Sequence, residues 1–199
     1  MQHVAVGFLD EIAERGWSVI PDFIPAEVVT EMREELRNLW QEGEFRRAGV
    51  GRGASLQVRP EIRTDYVHWL EPNALTPLQQ AYWDQIDTLR QTLNQEFFLS
   101  LRSFEAHFAV YPAGSFYKKH LDQFSQTRHR IISCILYLNP NWTPADGGQL
   151  RIYEADGLGH TDVTPYGGTL VCFRSADVFH EVLPAHRERF SLTGWLRTE

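Results

Sequence analysis

At 199 residues, with 43% apolar side chains and a formal charge of -7, the sequence has ample material for a core of its own and too little clustered basic charge to favour a nucleic-acid partner. Two cysteines, Cys134 and Cys172, sit inside apolar runs and read as buried thiols rather than a disulfide framework, which suits a reducing cytoplasm. A basic leader followed by an apolar stretch is absent, and the longest apolar run, Ile131 to Leu138, is too short to span a bilayer, so neither secretion nor a membrane is expected.

The chain divides into a helical half and a strand half, expected to form one domain over 1–199 with helical support over about 1–103 and a β core over about 104–197. Trp17 to Ile20 fits a short strand. After Pro25, Val28, Val29, Met32, Leu36, Leu39 and Trp40 fall on one face of a helix. Between Gly43 and Asp65, Arg46, Arg47, Arg52, Arg59 and Arg63 lie among glycines, which makes a basic loop in an acidic protein and a candidate substrate contact. A second helix begins with Thr76 as N-cap and Pro77 at the first position, then places Leu78, Tyr82, Ile86, Leu89, Leu93 and Phe97 at three- and four-residue intervals. From Phe104 onward short alternating or apolar runs cover 104–111, 130–138, 149–153, 161–164, 169–173, 178–183 and 189–197. The turns between them are too short for helical crossovers. The expected class is mainly β with flanking helices: a double-stranded β-helix, or jelly-roll, core buttressed by the N-terminal helices.

Within this frame, KKHLDQF offers a metal site. Residues two apart on a strand share a face, so His120 and Asp122 can present two donors, and His180 in FHEVLP can supply a third from a late strand. Two histidines and a carboxylate on one face of an octahedron leave adjacent positions open, which suits iron(II) that must also bind a chelating co-substrate and O2. A lone HxD is a weak signal, and the chain holds a second one, His160 and Asp162. That pair lies close to His180 in the turn-rich EADGLGHTD segment and reads as a solvated turn. His186 reads as exposed, His107 and His129 stay unassigned, and His3 and His68 fit no pattern.

The final strand, RFSLTGWLR, places Arg189, Ser191, Thr193 and Trp195 on one face and Phe190, Leu192 and Leu196 on the other. An arginine fork facing the same interior as a metal suits the distal carboxylate of a dicarboxylic co-substrate; the competing reading is a strand-end salt bridge. Tyr137, on a face with Ile131, Ser133 and Ile135, is a phenol in an apolar wall. Its partner is either a ligand carboxylate or backbone.

Taken in order, YPAGSFYKKHLD, RIISCILYLN, GGQLRIY, FHEVLPAHRERF and LTGWLR resemble the 2-oxoglutarate- and iron(II)-dependent prolyl hydroxylases over about residues 104–197. The branch resembled holds the oxygen-sensing hydroxylases of hypoxia-inducible factor and their bacterial relatives. Upstream, IRTDYVHWL resembles the family's loop ahead of the second helix. The resemblance implies that His120, Asp122 and His180 bind iron, that Arg189 and Tyr137 hold 2-oxoglutarate with Thr193 in support, and that Tyr111 and Leu150 line the pocket. It also implies that Arg130, Trp195 and Asp65 meet substrate, with Arg130 paired to Asp65 as the loop closes. The implied reaction consumes O2 and 2-oxoglutarate, releases succinate and CO2, and hydroxylates a proline in a protein, with elongation factor Tu a candidate acceptor and ascorbate a candidate auxiliary reductant. The carboxylate at Asp122 favours hydroxylation over halogenation. YPAGSFY, one residue shorter than in the animal enzymes, departs from the pattern near the metal. Two alternatives stand beside this reading: an oxygenase of the same chemistry acting on a small molecule or amino acid, and a metal-binding jelly-roll module without turnover.

Overall fold

The structure is a computed structural model that describes residues 7–51, 56–123 and 127–199; Arg52 of the basic loop and His3 lie outside the described residues. Its elements run α1 (Phe8–Arg15), β1 (Trp17–Ile20), α2 (Ala26–Gln41), β2 (Arg46–Arg47), β3 (Tyr66–Trp69), α3 (Pro77–Phe97), β4 (Ser103–Tyr111), β5 (Tyr117–His120), β6 (Arg130–Tyr137), β7 (Leu150–Tyr153), β8 (His160–Val163), β9 (Leu170–Arg174), β10 (His180–Val182) and β11 (Arg189–Arg197). Among the described residues these strands form two antiparallel sheets. A seven-stranded sheet has the order β1-β9-β6-β11-β4-β3-β2, and a four-stranded sheet the order β5-β10-β7-β8. Consecutive strands from β4 onward mostly alternate between the sheets, the winding of a jelly roll.

Pleating divides the core in two. Phe190, Leu192 and Leu196 of β11 and Ile132, Cys134 and Leu136 of β6 face outward, where Met32 and Leu36 of α2 and Ile86, Leu89 and Leu93 of α3 cover them. Each such fully buried side chain contributes about 1.5–3 kcal/mol, so the helices hold the large sheet as well as hiding it. The opposite face meets the small sheet across Ile135, Tyr137, Leu150, Ile152, Val171 and Phe173. Cys134 and Cys172 are register partners on β6 and β9; both are free, with their sulfurs 3.7 Å apart.

The second helix begins as its sequence requires. Thr76 Oγ1 accepts from the Gln79 amide at 3.2 Å while the Gln79 side chain accepts from the Thr76 amide, with Pro77 in the first turn. Three elements escape the sequence reading. Helix α1 is two turns long, buries only Phe8 and Ile12, and stops at Gly16 in a left-handed conformation. Strands β2 and β3 extend the large sheet through the segment expected to be loop. The turn reading of His160 and Asp162 also needs correction, because both lie on β8, the edge strand of the small sheet.

Candidate active site

His120 ends β5 and His180 begins β10, and the two face each other in register across the antiparallel pair. One irregularity sets their surroundings: His180 pairs with His120 but Val182 pairs with Tyr117, so Lys118 and Lys119 together oppose Glu181. The extra residue is a β-bulge, and it turns Tyr117 and His120 to the same face, where their rings stack with centroids 3.5 Å apart. Each histidine has its Nδ1 against a carbonyl, His120 on Lys118 at 2.7 Å and His180 on Val178 at 3.1 Å. A carbonyl only accepts, so both Nδ1 atoms carry the proton and both Nε2 atoms present a lone pair. Those Nε2 atoms lie 3.4 and 3.6 Å from Asp122 Oδ1, and the three donors all fall within 4.8 Å of one another.

Asp122 is anchored by its other oxygen. Oδ2 accepts from Ser133 Oγ at 2.7 Å and from the Trp195 indole at 3.0 Å, and Ser175 Oγ lies 2.9 Å behind Ser133. Oδ1 is thereby left for a cation. Burial alone would raise the Asp122 pKa, but the imidazoles of His180 and His120 beside it and the hydrogen bond from Ser133 outweigh that and hold the carboxyl well below its ordinary range. Burial, with His120 beside it, lowers His180 to about 4, which keeps the imidazole neutral at physiological pH. Two imidazoles with one carboxylate make the donor set of a facial iron(II) site.

Arg189 lies deeper in the same interior. Its register partner on β4 is Tyr111, while Ser191 pairs with Tyr137 on β6, so the guanidinium sits about equally over two tyrosine rings, 4.9 and 5.0 Å from their centroids. Two devices place it. Asn139 bonds both the amide and the carbonyl of Phe190, fixing where β11 begins. Gly148, at φ 66, accepts from Arg189 Nε at 2.8 Å, and a Cβ there would fall 2.8 Å from Arg189 Cδ. Arg189 is 1% exposed, yet its Nη2 and the Tyr137 hydroxyl have no hydrogen-bond partner. Two buried polar ends without partners on one wall are costly unless a ligand meets them, and a carboxylate matches both. Burial pushes the Tyr137 phenol up to about 12 despite the nearby Arg189, so it remains a donor at any working pH.

One cavity of about 460 Å³ touches His120, Asp122, His180, Arg189, Tyr111 and Leu150, and its lining also includes Thr193, Trp195 and Arg130. Burial raises the Tyr111 phenol well above its ordinary value. The predicted metal set is therefore brought together with Arg189, Tyr111, Leu150 and Thr193 of the predicted co-substrate set, while Tyr137 is not on the cavity lining and packs with Tyr111 and Leu150 in the core between the sheets. His160 and Asp162 point away; Asp162 instead takes a two-pronged bond from Arg151 at 2.8 Å. At the mouth two expectations fail. Asp65, buried, gives both oxygens to Arg63 at 2.8 and 2.6 Å rather than to Arg130. Arg130 instead bonds Glu105 at 2.8 Å and lies 3.5 Å over the Trp195 ring. The cause of the second is another bulge: Leu196 pairs with Ile132 and Arg197 with Arg130, which skips Ile131, sends Ile131 toward the helices and turns Arg130 inward. Ile131 thus leaves the face it was expected to share with Ser133, Ile135 and Tyr137.

Several site residues carry no signal in the sequence. Ser133 is on the expected face but nothing marks it as a support for Asp122, and Ser175 reaches it from another strand connection. Arg63 lies 4.1 Å over Tyr117, which stacks on His120, so the basic segment touches the metal end through two rings. His107, unassigned from sequence, is buried beside Trp69 and Trp195 and lines the cavity; burial first and Arg63 second lower it to about 4. Of the others, His129 meets Glu199, His186 is exposed against Ala145, and His68 bonds Glu44.

Comparison with known proteins agrees with this geometry. The profile of the 2OG-Fe(II) oxygenase superfamily matches residues 106–197. A prolyl-4-hydroxylase of Pseudomonas putida is 44% identical with a TM-score of 0.87, over 97% of this chain and 98% of that one. A prolyl hydroxylase of Trichoplax adhaerens, solved in complex with a hypoxia-inducible factor oxygen degradation domain peptide fragment, is 26% identical with a TM-score of 0.85, over 96% and 87%. The hypoxia-inducible factor prolyl hydroxylase of Caenorhabditis elegans is 29% identical over 211 residues, which is 98% of this chain but only 28% of that protein. No helix among the described residues is long and apolar enough to cross a membrane. Three converging metal donors, a buried arginine with an unpartnered end and a fold shared end to end with the Pseudomonas putida protein agree: the chain belongs to the 2-oxoglutarate- and iron(II)-dependent oxygenase superfamily, in its prolyl hydroxylase branch.

Proposed function

We propose that the protein hydroxylates a prolyl residue of a protein substrate, using iron(II), O2 and 2-oxoglutarate and releasing succinate and CO2. The observation that carries this reading is the pair of partnerless buried ends between the two sheets, Arg189 Nη2 and the Tyr137 hydroxyl, with Arg189 lining the same cavity as three converging metal donors. His120, Asp122 and His180 would hold the iron. Arg189 and Tyr137 fix the distal carboxylate of 2-oxoglutarate, Thr193 supports that pocket, and Tyr111 and Leu150 form its walls and exclude water. When bound, iron and 2-oxoglutarate supply the oxidising chemistry with O2; the chain supplies orientation and a dry, polarised cavity. Ser133 and Trp195 hold Asp122 Oδ2, which leaves Oδ1 as the oxygen that would meet the metal.

The prolyl acceptor is supported by the prolyl hydroxylase of Pseudomonas putida and by the peptide-bound neighbour from Trichoplax adhaerens. On the substrate side, Arg130 and Trp195 form a stacked rim beside Asp122, and Asp65 acts by holding Arg63. Elongation factor Tu is the acceptor we place first. Anaerobic addition of iron(II) and 2-oxoglutarate should produce a metal-to-ligand charge-transfer band that Arg189→Ala weakens. Mass spectrometry of host proteins with and without the enzyme should then find one added oxygen on a proline. Succinate release stimulated by small molecules, with every proline peptide inert, would replace the peptidyl reading by a small-molecule one.

A further inference from the structure

Beside the metal cavity lies a second one of about 280 Å³, and the two share Arg47, Ala48, Val58 and Arg63. Most polar groups of the smaller cavity are already used. Arg63 and Asp65 neutralise each other, Thr64 Oγ1 accepts from the Phe116 amide at 3.1 Å, and Ser115 Oγ leans on the Thr64 carbonyl at 3.4 Å. Arg47 differs: it is exposed, and among the described residues no carboxylate lies within ion-pair distance of it. Its neighbour Arg46, which also lines the metal cavity, is equally without an acid. Elsewhere in the larger cavity Arg63 has Asp65 and Arg130 has Glu105, while the buried Arg189 is assigned to the co-substrate. In a chain of net charge -7, two adjacent arginines left without acids at the mouth of the active cavity make a local positive field facing whatever enters. The remaining walls are apolar: Val58, half exposed, with Pro60, Pro112 and Tyr66. A charged tip against an apolar sleeve fits a carboxylic side chain, whose methylenes pack while its head meets the guanidinium.

We propose that this second cavity is a subsite for an aspartate or glutamate of the substrate segment, close in sequence to the target proline, with Arg47 as its counter-charge and Arg46 reinforcing the field. The inference rests on the prolyl reading of the main cavity. It assigns Arg47 to selectivity, leaving the chemistry to the metal end.

The test uses wild-type protein loaded with iron and 2-oxoglutarate, and a set of peptides that carry one proline and, at each flanking position in turn, Glu, Gln or Lys. Hydroxylation is read as kcat/KM, and affinity is read separately by fluorescence anisotropy. At one or two positions Glu should exceed Gln by about fivefold, the scale of one partly exposed ion pair, and Lys should fall lower still. Arg47→Glu should reverse the order at those positions and Arg47→Lys should keep it, the order being read as the ratio of Glu to Gln peptide kcat/KM within each variant. Turnover of the neutral peptide with no preference for Glu at any position would overturn the subsite while leaving the prolyl reading intact. A preference that survives Arg47→Glu would overturn it too. If no proline peptide is hydroxylated by the wild type, the parent reading fails and the subsite falls with it.

Discussion

The chain contains the same three-residue pattern twice on one sheet, and only one copy is a metal site. His120 with Asp122 lies at the β5 edge of the small sheet, and His160 with Asp162 on β8 at the other edge. Both pairs have the spacing that lets two donors share a face. The first turns into the interior beside His180 and is closed over by Ser133 and Trp195. The second turns to solvent, where Arg151 on the neighbouring strand occupies the carboxylate. Spacing therefore supplies proximity, while the phase of the pleat and the neighbouring strand determine chemistry.

The largest effect should come from removing a donor of the interior pair. His120→Ala should abolish the charge-transfer band and lower activity on the order of a thousandfold or more, since even residues that only support metal ligands are commonly worth about 10–100-fold. His160→Ala should leave the band and the rate unchanged. Equal losses in the two variants would mean that the exterior pair takes part in metal binding after all.

A second contrast is between a buried histidine and an exposed one. His107 is held to about 4 in the folded protein, against 6.5 for an unperturbed imidazole, because burial and Arg63 oppose its charge. The folded pKa is the lower one, so between those values the unfolded chain binds a proton that the folded chain refuses. Stability is fully present above pH 6.5 and drains away as the pH falls toward 4. At about 1.4 kcal/mol per unit the full displacement amounts to roughly 3 kcal/mol. His180, also held to about 4, adds its own share in the same window. Urea unfolding of the metal-free protein at pH 7.5 and 4.5 should show the loss, and His107→Gln should remove its part of the difference.

The support of Asp122 gives a smaller and more local prediction. Ser133→Ala removes one of two donors on Oδ2, which should weaken metal affinity by about 10–100-fold while the fold persists. Titration with manganese(II), followed by calorimetry, reads that affinity without turnover. Trp195→Phe should act in the same direction, because its indole is the other donor. An unchanged affinity in both would show that the metal alone orients the carboxylate.

What could be read from the sequence and what could not divides along regularity. β11 runs as nine regular residues, so strict alternation placed Arg189, Ser191, Thr193 and Trp195 inside and Phe190, Leu192 and Leu196 outside, as the structure has them. The capping chemistry of Thr76 and the periodic face of α3 were similarly local. Bulges are not local in this sense, because an extra residue is defined only against the partner strand. The one at Lys118 and Lys119 brings Tyr117 onto His120, and the one at Ile131 turns Arg130 inward. Ion pairing at the mouth was misassigned for a related reason. Asp65 has a partner two residues away in Arg63, and that short-range, fully formed pair prevails over the distant one. The supports from Ser175 through Ser133 to Asp122 join separate strands and have no sequence spacing to betray them.

The smallest effect belongs to the exterior pair, and its smallness is the informative part. Asp162→Ala breaks the bond to Arg151, a bidentate pair at 2.8 Å whose side chains are 35% and 27% exposed. Such a pair works against water and salt, so its loss should cost under about 1 kcal/mol. Arg151 also keeps a second acid within 4.0 Å, Glu181, which limits the loss further. Thermal unfolding should therefore shift by a few degrees at most, with metal affinity, the charge-transfer band and peptide hydroxylation unaltered. A drop in hydroxylation without a drop in stability would contradict the assignment of β8 to the solvent side. It would mean that the outer face of the small sheet, through Arg151 and Glu181, reaches His180 on the neighbouring strand.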